Sequence, residues 1–303
     1  MAVAFANRFV NKVNNLFRLL SKVPRLQSIL SFFHIFLSEH LKHKDVKLFV
    51  GFCPLCARKS LFLINPENPR EYGNCLWCSA NSRYKYMGIL IQKIIRLHHQ
   101  SIDPRAPAFA HALEREPAPL TLKAVIASSM PRNFTIYEPD SRGTLHNLFM
   151  RYPRYVYSEY FPQNPLGTCV NGILNEDLQR LTFPSYLFDL VITQDVFEHV
   201  QDPYLAFREI RRVLKLGGIH LFTVPLYGAH SVTRIDKTGL KLLPDEYHSD
   251  HQDKGGALVF TNFGRDLLAH LEEMGYKTFI SSKKDARKGI CGLVEVIVSI
   301  KRE

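Results

Sequence analysis

The chain has 303 residues, of which 46% are hydrophobic and 22% are charged, and this composition is typical of a globular protein. No segment reaches the roughly 18–20 consecutive apolar residues that a membrane-spanning helix needs. The formal net charge is +11, and the excess lies in residues 1–100, which hold 15 Lys and Arg against 4 Asp and Glu. Such a region favours an anionic partner (nucleic acid, lipid headgroups or an acidic glycan) unless it is only a solvated face.

Residues 1–48 are predicted to form a basic amphipathic helical segment. Apolar side chains recur there at helical spacing, with Lys and Arg between them: Phe5, Phe9, Val13, Leu16 and Leu20. Such a helix docks on the rest of the protein, lies on a membrane surface or serves as an organelle transit peptide. The segment lacks the apolar core and cleavage site of a secretory signal. We therefore expect a cytoplasmic protein, with peripheral membrane contact as the alternative.

Four cysteines form two Cys-x2-Cys pairs separated by 18 residues, namely Cys53 with Cys56 and Cys75 with Cys78. Each Cys-x2-Cys pair forms a tight turn, here called a knuckle. Two knuckles at this separation predict a tetrahedral Zn2+ site with no open coordination position, which is therefore structural. Two disulfides are the alternative, but nothing in the sequence indicates an oxidising compartment. The apolar run Leu61–Ile64 and the Pro/Asn/Gly-rich return after it predict a two-stranded ribbon.

Four regions follow from these patterns, although the sequence leaves the oligomeric state open. Residues 49–100 are expected to hold the zinc ribbon and a following basic helix, and 101–121 form a Pro/Ala-rich linker. Residues 122–303 alternate predicted strands with predicted helices. This alternation predicts an α/β domain with a doubly wound, mostly parallel sheet.

The predicted strands of this domain are residues 133–139, 155–160, 188–195, 218–225 and 292–301. The clearest helix is predicted over Pro203–Leu216. Asp202 is its N-cap, Pro203 suits its first turn, and Gly217 with Gly218 is expected to end it.

Acidic residues stand where the predicted strands end. Glu138, Glu159 and Asp195 each end a strand, and Asp177 precedes another apolar segment. Doubly wound sheets bind ligands outside the carboxyl ends of their strands. Carboxylates there accept hydrogen bonds from ribose hydroxyls, an adenine amino group or an ammonium, so the sequence predicts a nucleoside-binding edge.

The stretch "EDLQRLTFPSYLFDLVITQDVFEHVQDPYLAFREIRRVLKLGG" carries a family resemblance. Over residues 133–300 the chain resembles a class I S-adenosyl-L-methionine-dependent methyltransferase of the type 11 kind, with a Rossmann-like domain. The matching positions are Asp177, Phe183, Phe188–Val191, Glu198–Val200 and Leu214–Gly218. Leu216 replaces the usual proline. The zinc ribbon ahead of the domain also resembles a bacterial subset of these proteins.

The resemblance implies S-adenosyl-L-methionine as cofactor. Glu138 would face its methionine end, Glu159 its ribose hydroxyls and Asp177 its adenine amino group. The other residues expected at the cofactor are Ser141, Gly143, Leu178, Asp195 and Val196. The first loop departs from the glycine-rich family pattern, because "EPDSRGTL" keeps only Gly143. Ser141 and Arg142 are therefore expected to bond the methionine carboxylate instead.

Two other kinds of protein compete with this interpretation. A nicotinamide-binding Rossmann domain would share the sheet but needs a glycine-rich phosphate loop, which the sequence lacks. A cofactor-free scaffold that binds a partner is favoured by the altered first loop. The acidic residues at the strand ends argue against a scaffold, because carboxylates there are costly to desolvate.

The insertion 226–261 is predicted to cover the acceptor, and it contains Tyr247, His248, Asp250 and His251. A hydroxyl acceptor needs a base of near-neutral pKa. We predict His248 as this base and His199 as the second candidate, with Asp250 orienting the ring and Tyr247 shaping the pocket. The alternatives are an ordinary polar loop and a second metal held by His248, Asp250 and His251.

The acceptor itself is not encoded in a recognisable motif. We predict a small molecule, a glycan or a lipid that offers a hydroxyl or a similar nucleophile. RNA, held by the basic first third of the chain, is the alternative.

Overall fold

The computed structural model describes residues 47–64, 70–115, 120–248 and 256–303. The amphipathic helix predicted within residues 1–48 lies outside them. The chain divides into two compact units. The first holds the described residues of 1–88, 121–123 and 283–294, and the second holds those of 89–120, 124–282 and 295–303.

The described helices are α1 Ser82–His99, α2 Phe109–Arg115, α3 Leu122–Ser128, α4 Gly143–Phe149, α5 Pro203–Val213 and α6 Leu267–Glu273, with 3-10 turns at Phe197–His199 and Ala286–Lys288. The strands are β1 Lys47–Phe52, β2 Lys59–Ile64, β3 Ile136–Glu138, β4 Tyr155–Glu159, β5 Cys169–Val170, β6 Ile173–Asn175, β7 Phe188–Gln194, β8 Leu214–Thr223, β9 Val232–Thr233, β10 Tyr247–His248, β11 Ala257–Leu258, β12 Thr261–Asn262, β13 Tyr276–Asp285 and β14 Ile290–Lys301.

In the first unit, β1 and β2 form an antiparallel hairpin that encloses the first cysteine pair, with Phe52 opposite Lys59. A two-stranded ribbon was predicted, and β2 contains its apolar run Leu61–Ile64. The partner of β2 is β1, however, rather than the segment after β2. The chain reverses between β1 and β2 through the first knuckle itself, and residues 65–69 of the predicted return lie outside the described residues.

The eight-stranded sheet runs in the order β13-β14-β8-β7-β3-β4-β6-β5. Neighbours from β8 to β6 are parallel, whereas β14 on β8 and β5 on β6 are antiparallel. The chain winds outward from β3 through β4 and β6, then returns to β7 on the other side of β3. The doubly wound, mostly parallel α/β fold is therefore confirmed, and its switch point lies between β3 and β7.

Helix α5 carries the apolar stripe that covers the sheet. Asp202 caps it by accepting a hydrogen bond from the Leu205 N–H at 3.0 Å, as predicted. On its buried face, Phe207 stacks on Phe197 with ring centroids 3.9 Å apart. Both rings belong to the core cluster between the helix and the strands.

The predicted end of α5 was wrong. The helix ends at Val213, and Leu214 already begins β8. Phe188 pairs with Leu214 whereas Leu190 pairs with Ile219, so the intervening residues form an irregularity in the ladder. Gly217, whose φ is 71°, lies in this bulge and does not cap the helix. The pairing of Leu214 with the buried strand β7 therefore ends the helix before the predicted stop at Gly217 and Gly218.

Strand β13 and the short pair β5 and β6 were not predicted. β13 begins directly after the glycine that follows α6, and it neighbours β14 at the edge of the sheet. Within the described ranges, none of the helices combines the length and the apolar character that crossing a bilayer requires.

Candidate functional site

The carboxyl edge of the parallel strands is lined by polar side chains. Strand β3 ends at Glu138, β4 ends at Glu159 and β7 ends at Gln194. These three strands are neighbours with β3 in the centre, and both pairings are parallel. The predicted acidic edge is therefore present, with Asp195 directly after β7.

Glu138 lies at the switch point and is only 1% exposed. Its carboxyl group accepts hydrogen bonds from the Tyr155 hydroxyl at 2.7 Å and from Gln194 Nε2 at 3.2 Å. Burial raises the pKa of Glu138 to about 8, and the charge of Asp140 adds to the rise. The group is therefore a neutral carboxylic acid at pH 7, and a nearby cation would favour its ionisation.

Glu159 and Ser141 bind each other. The hydroxyl and the backbone N–H of Ser141 donate to Glu159 Oε1 at 2.7 and 3.2 Å. These bonds hold the loop after β3 against the end of β4. Helix α4 then begins at Gly143, whose φ of 79° suits glycine. The loop thus follows a path supported by a carboxylate in place of the missing glycines.

The other predicted cofactor residues line the same edge in different ways. Asp177 accepts from the Gln179 N–H at 2.8 Å, and Leu178, which is 7% exposed, packs in the core. Asp195 has a φ of 52°, a left-handed conformation uncommon outside glycine. Val196 is partly buried against the core. The cofactor roles of these residues stay predictions.

His199 and His248, the two predicted bases, lie together although they are far apart in the chain. Their ring centroids are 5.1 Å apart and the rings are nearly perpendicular. The buried Glu198 lies beside both, with its Oε1 3.9 Å from His199 Nε2 and 3.9 Å from His248 Nδ1. Polar groups that could act together on an acceptor thus converge after β7.

Tyr247 is 54% exposed, and its hydroxyl lies 3.5 Å from Asp245 Oδ2. Asp250 and His251 lie outside the described residues, so their predicted roles stay predictions.

Sequence reasoning missed several partners of these groups. Tyr155 and Gln194 were not assigned to the site, yet they hold the Glu138 carboxyl group. Glu246 was also missed, and its Oε1 lies 3.4 Å from His248 Nε2. An alternating Glu-x-His pattern, which places both side chains on one face of an extended segment, is the signal that could have found Glu246.

The four predicted metal ligands form a compact cluster in the first unit. The Sγ atoms of Cys53 and Cys78 are 3.7 Å apart, as are those of Cys56 and Cys75. A tetrahedral zinc with Zn–S bonds of about 2.3 Å needs sulfur atoms about 3.8 Å apart. Both measured distances match this value, and all four Sγ atoms lie within 4.8 Å of one another.

The two knuckles have the same backbone geometry. Cys53 N–H donates to the Arg58 carbonyl and Cys75 N–H donates to the Ala80 carbonyl, both at 2.9 Å. The residue after the second cysteine of each pair, Ala57 or Ser79, has a φ near 60°. Two equal turns present two thiols each to a common point, which is the arrangement that four-coordination requires.

Residues 157–222 match the family described as "Methyltransferase domain". This range includes the end of β4, β7, α5 and most of β8. The prediction of a methyltransferase domain is confirmed, and the chain contains one. Among curated proteins, none matches this chain.

Solved structures of similar fold are distant in sequence. An S-adenosylmethionine-dependent methyltransferase from Mesorhizobium loti is 19% identical, over 59% of this chain and 96% of that one, with a TM-score of 0.37. The 1,6-didemethyltoxoflavin-N1-methyltransferase of Burkholderia thailandensis is 11% identical, over 73% and 90%, with a TM-score of 0.36. The sugar N-methyltransferase KedS8 of Streptoalloteichus sp. is 15% identical, over 60% and 85%, with a TM-score of 0.35. Likeness at this level does not identify the acceptor.

Proposed function

We propose that the α/β domain binds S-adenosyl-L-methionine at the carboxyl edge of β3, β4 and β7 and transfers its methyl group to a hydroxyl or similar nucleophile. The observation that carries this proposal is the set of polar groups at the switch point. Glu138 and Glu159 end adjacent strands, and Gln194 Oε1 is buried with no hydrogen-bond partner among the described residues. A buried acceptor without a partner is costly unless a ligand satisfies it.

The residues present fit the cofactor group by group. The ammonium of its methionine moiety offers donors to Gln194 Oε1, and its positive charge favours ionisation of the neighbouring Glu138. Glu159, which accepts from Ser141, is assigned to the ribose hydroxyls, since a carboxylate can accept several hydrogen bonds. Asp177 is assigned to the adenine amino group.

The bound cofactor supplies an electrophilic methyl group on a sulfonium. The protein must then align the acceptor oxygen with the methyl carbon and exclude water. A hydroxyl acceptor also has to lose its proton. His199 and His248 are the candidate bases, and His248 lies in the insertion that we expect to cover the acceptor.

We assign the acceptor to small molecules, glycans or lipids. The described residues favour none of these three classes. RNA, held by the basic residues of the first third of the chain, remains the alternative.

Cofactor binding is tested by calorimetry with S-adenosyl-L-methionine on Glu159→Ala and Asp177→Ala. Each variant should bind more weakly by about 1–3 kcal/mol, because one buried hydrogen bond is lost. Glu273→Ala, an exposed carboxylate at the end of α6, is the matched control and should bind like the parent. Unchanged affinity in both test variants would refute this placement. A parent protein that binds no S-adenosyl-L-methionine would favour the cofactor-free scaffold.

The four-cysteine cluster is proposed to hold one structural Zn2+. Its sulfur spacing supports this proposal, and four thiolates leave no open position for catalysis.

A further inference from the structure

A second group of metal-ligating side chains lies at the carboxyl edge of the sheet. Glu198 and His199 occupy the 3-10 turn after β7, and His248 ends the short strand β10. One ligand atom from each residue lies within 4.8 Å of the other two. The insertion and the strand edge thus contribute to one cluster.

Hydrogen bonding fixes the orientation of the His199 ring. Its Nδ1 lies 2.8 Å from the Leu258 carbonyl oxygen, and because a carbonyl only accepts, Nδ1 carries the proton. The lone pair of a neutral ring is then on Nε2, which is the nitrogen that faces Glu198 Oε1 at 3.9 Å.

His248 has the same arrangement with its ring nitrogens exchanged. Its Nε2 faces Glu246 Oε1 at 3.4 Å and its Nδ1 faces Glu198 Oε1 at 3.9 Å. Glu246 is itself held by Arg234 at 2.9 Å and Asn262 at 3.2 Å. Metal-binding histidines characteristically donate their second ring N–H to a carbonyl or a carboxylate. Both histidines here have such a partner.

The distances favour a metal ion over a shared proton. A separation of 3.9 Å is too long for a hydrogen bond between Glu198 and either ring. Ligands of a tetrahedral metal with bonds of about 2.0–2.1 Å are about 3.3 Å apart. A bound metal would therefore need the Glu198 carboxylate and each ring nitrogen to approach one another by about 0.6 Å.

The geometry points to a binding site for a divalent transition-metal ion of the zinc and cobalt type, formed by Glu198, His199 and His248. Two imidazoles and one carboxylate suit such ions better than Mg2+ or Ca2+, which prefer oxygen ligands alone. Three protein ligands leave at least one coordination position open, unlike the closed four-cysteine cluster.

This inference rests on the proposed function for its role. A hydroxyl acceptor bound at the open position would have a lowered pKa and would lose its proton to water. The acceptor oxygen would then form its bond to the methyl carbon while the carbon–sulfur bond breaks, and the bonding electrons remain on sulfur. The two histidines would act as ligands rather than as bases.

The test uses Co2+ alone as probe on the full-length chain, with stoichiometry from elemental analysis and affinity from calorimetry. The parent should bind two ions. One gives the intense sulfur-to-metal absorption of a thiolate site and is lost in Cys75→Ser. The other lacks this absorption and is lost in Glu198→Gln and in His248→Ala.

Two further variants test the assignment of the second ion. Glu246→Gln should keep the second ion but raise its Kd by about 10–100-fold, as expected for an orienting carboxylate. His230→Ala, whose side chain is 87% exposed, is the matched histidine control and should bind two ions. His248 is 29% exposed in its side chain, so its variant remains informative if the change at buried Glu198 prevents folding.

A parent that binds a single ion, lost with Cys75→Ser, would overturn the second site, as would a His248→Ala protein that keeps both. Calorimetry with S-adenosyl-L-methionine on the same samples separates the two proposals. Cofactor binding with one ion rejects the metal site alone. Two ions without cofactor binding reject the proposed function and leave the metal site standing.

Discussion

Glu138 is expected to make the stability of the α/β domain depend on pH, and Glu138→Gln should remove that dependence. The carboxyl group is buried at the switch point and held by Tyr155 and Gln194. Glutamine has the same shape and stays neutral. Its carbonyl oxygen can accept from Tyr155, and the Gln194 amide can rotate to accept from the new NH2 group.

The magnitude follows from the pKa of Glu138, which burial raises from 4.5 to about 8. Between these values the folded state holds a proton that the unfolded state has released. The contribution to stability is therefore fully present below pH 4.5 and is lost as pH rises through about 8. Since one pKa unit corresponds to about 1.4 kcal/mol, the loss amounts to at most about 5 kcal/mol.

Urea unfolding followed by circular dichroism at several pH values between 5 and 8 measures this effect. The free energy of unfolding of Glu138→Gln should increase relative to that of the parent as pH rises. Most of this difference should be reached near pH 8. Glu273→Gln, with a side chain that is 77% exposed, is the control and should follow the parent. Parallel curves for the parent and Glu138→Gln would show that Glu138 is ionised in the folded protein, and the reasoning would fail.

Three other changes test the structure. Cys75→Ser should lower the zinc content by one ion per chain, and a variant with full zinc would exclude the four-cysteine site. Phe207→Ala removes a buried ring stacked on Phe197 at 3.9 Å, and denaturant unfolding should show a loss of about 3–5 kcal/mol. A loss below about 1 kcal/mol would mean that this contact is not part of a close-packed core. Asp202→Ala removes the cap on the Leu205 N–H and should cost about 1 kcal/mol, whereas Asp202→Asn, which can still cap, should cost less.

Local patterns in the sequence were sufficient for features that depend on neighbours in the chain. The N-cap at Asp202 forms with a residue three positions away. The knuckles form because each cysteine pair closes its own turn, so spacing alone predicted the four-cysteine cluster. Strand periodicity also predicted which acidic residues would end strands, since side-chain alternation and turn residues are local.

Only the tertiary structure decided the features that depend on pairing between distant segments. Helix α5 ends at Val213 because Leu214 pairs with Phe188 in the neighbouring strand. The pKa of Glu138 is raised because β4 and β7 flank β3 and bury its carboxyl group, although the hydrogen bonds from Tyr155 and Gln194 act in the opposite direction. Such changes in burial leave no mark on the sequence near the residue.

At the candidate site, the histidine cluster likewise combines residues that the sequence predicted with contacts that only the tertiary structure decided. His199 and His248 were each chosen as candidate bases from their positions in the sequence, one after a strand and one in the insertion. Their convergence on Glu198, with Leu258 and Glu246 orienting the rings, depends on how the insertion folds back over the end of β7. The Phe260 N–H anchors it there by donating to the Glu198 carbonyl at 2.7 Å. No periodicity encodes a contact across this separation, because its geometry is set by backbone pairing between segments that meet only in the folded chain.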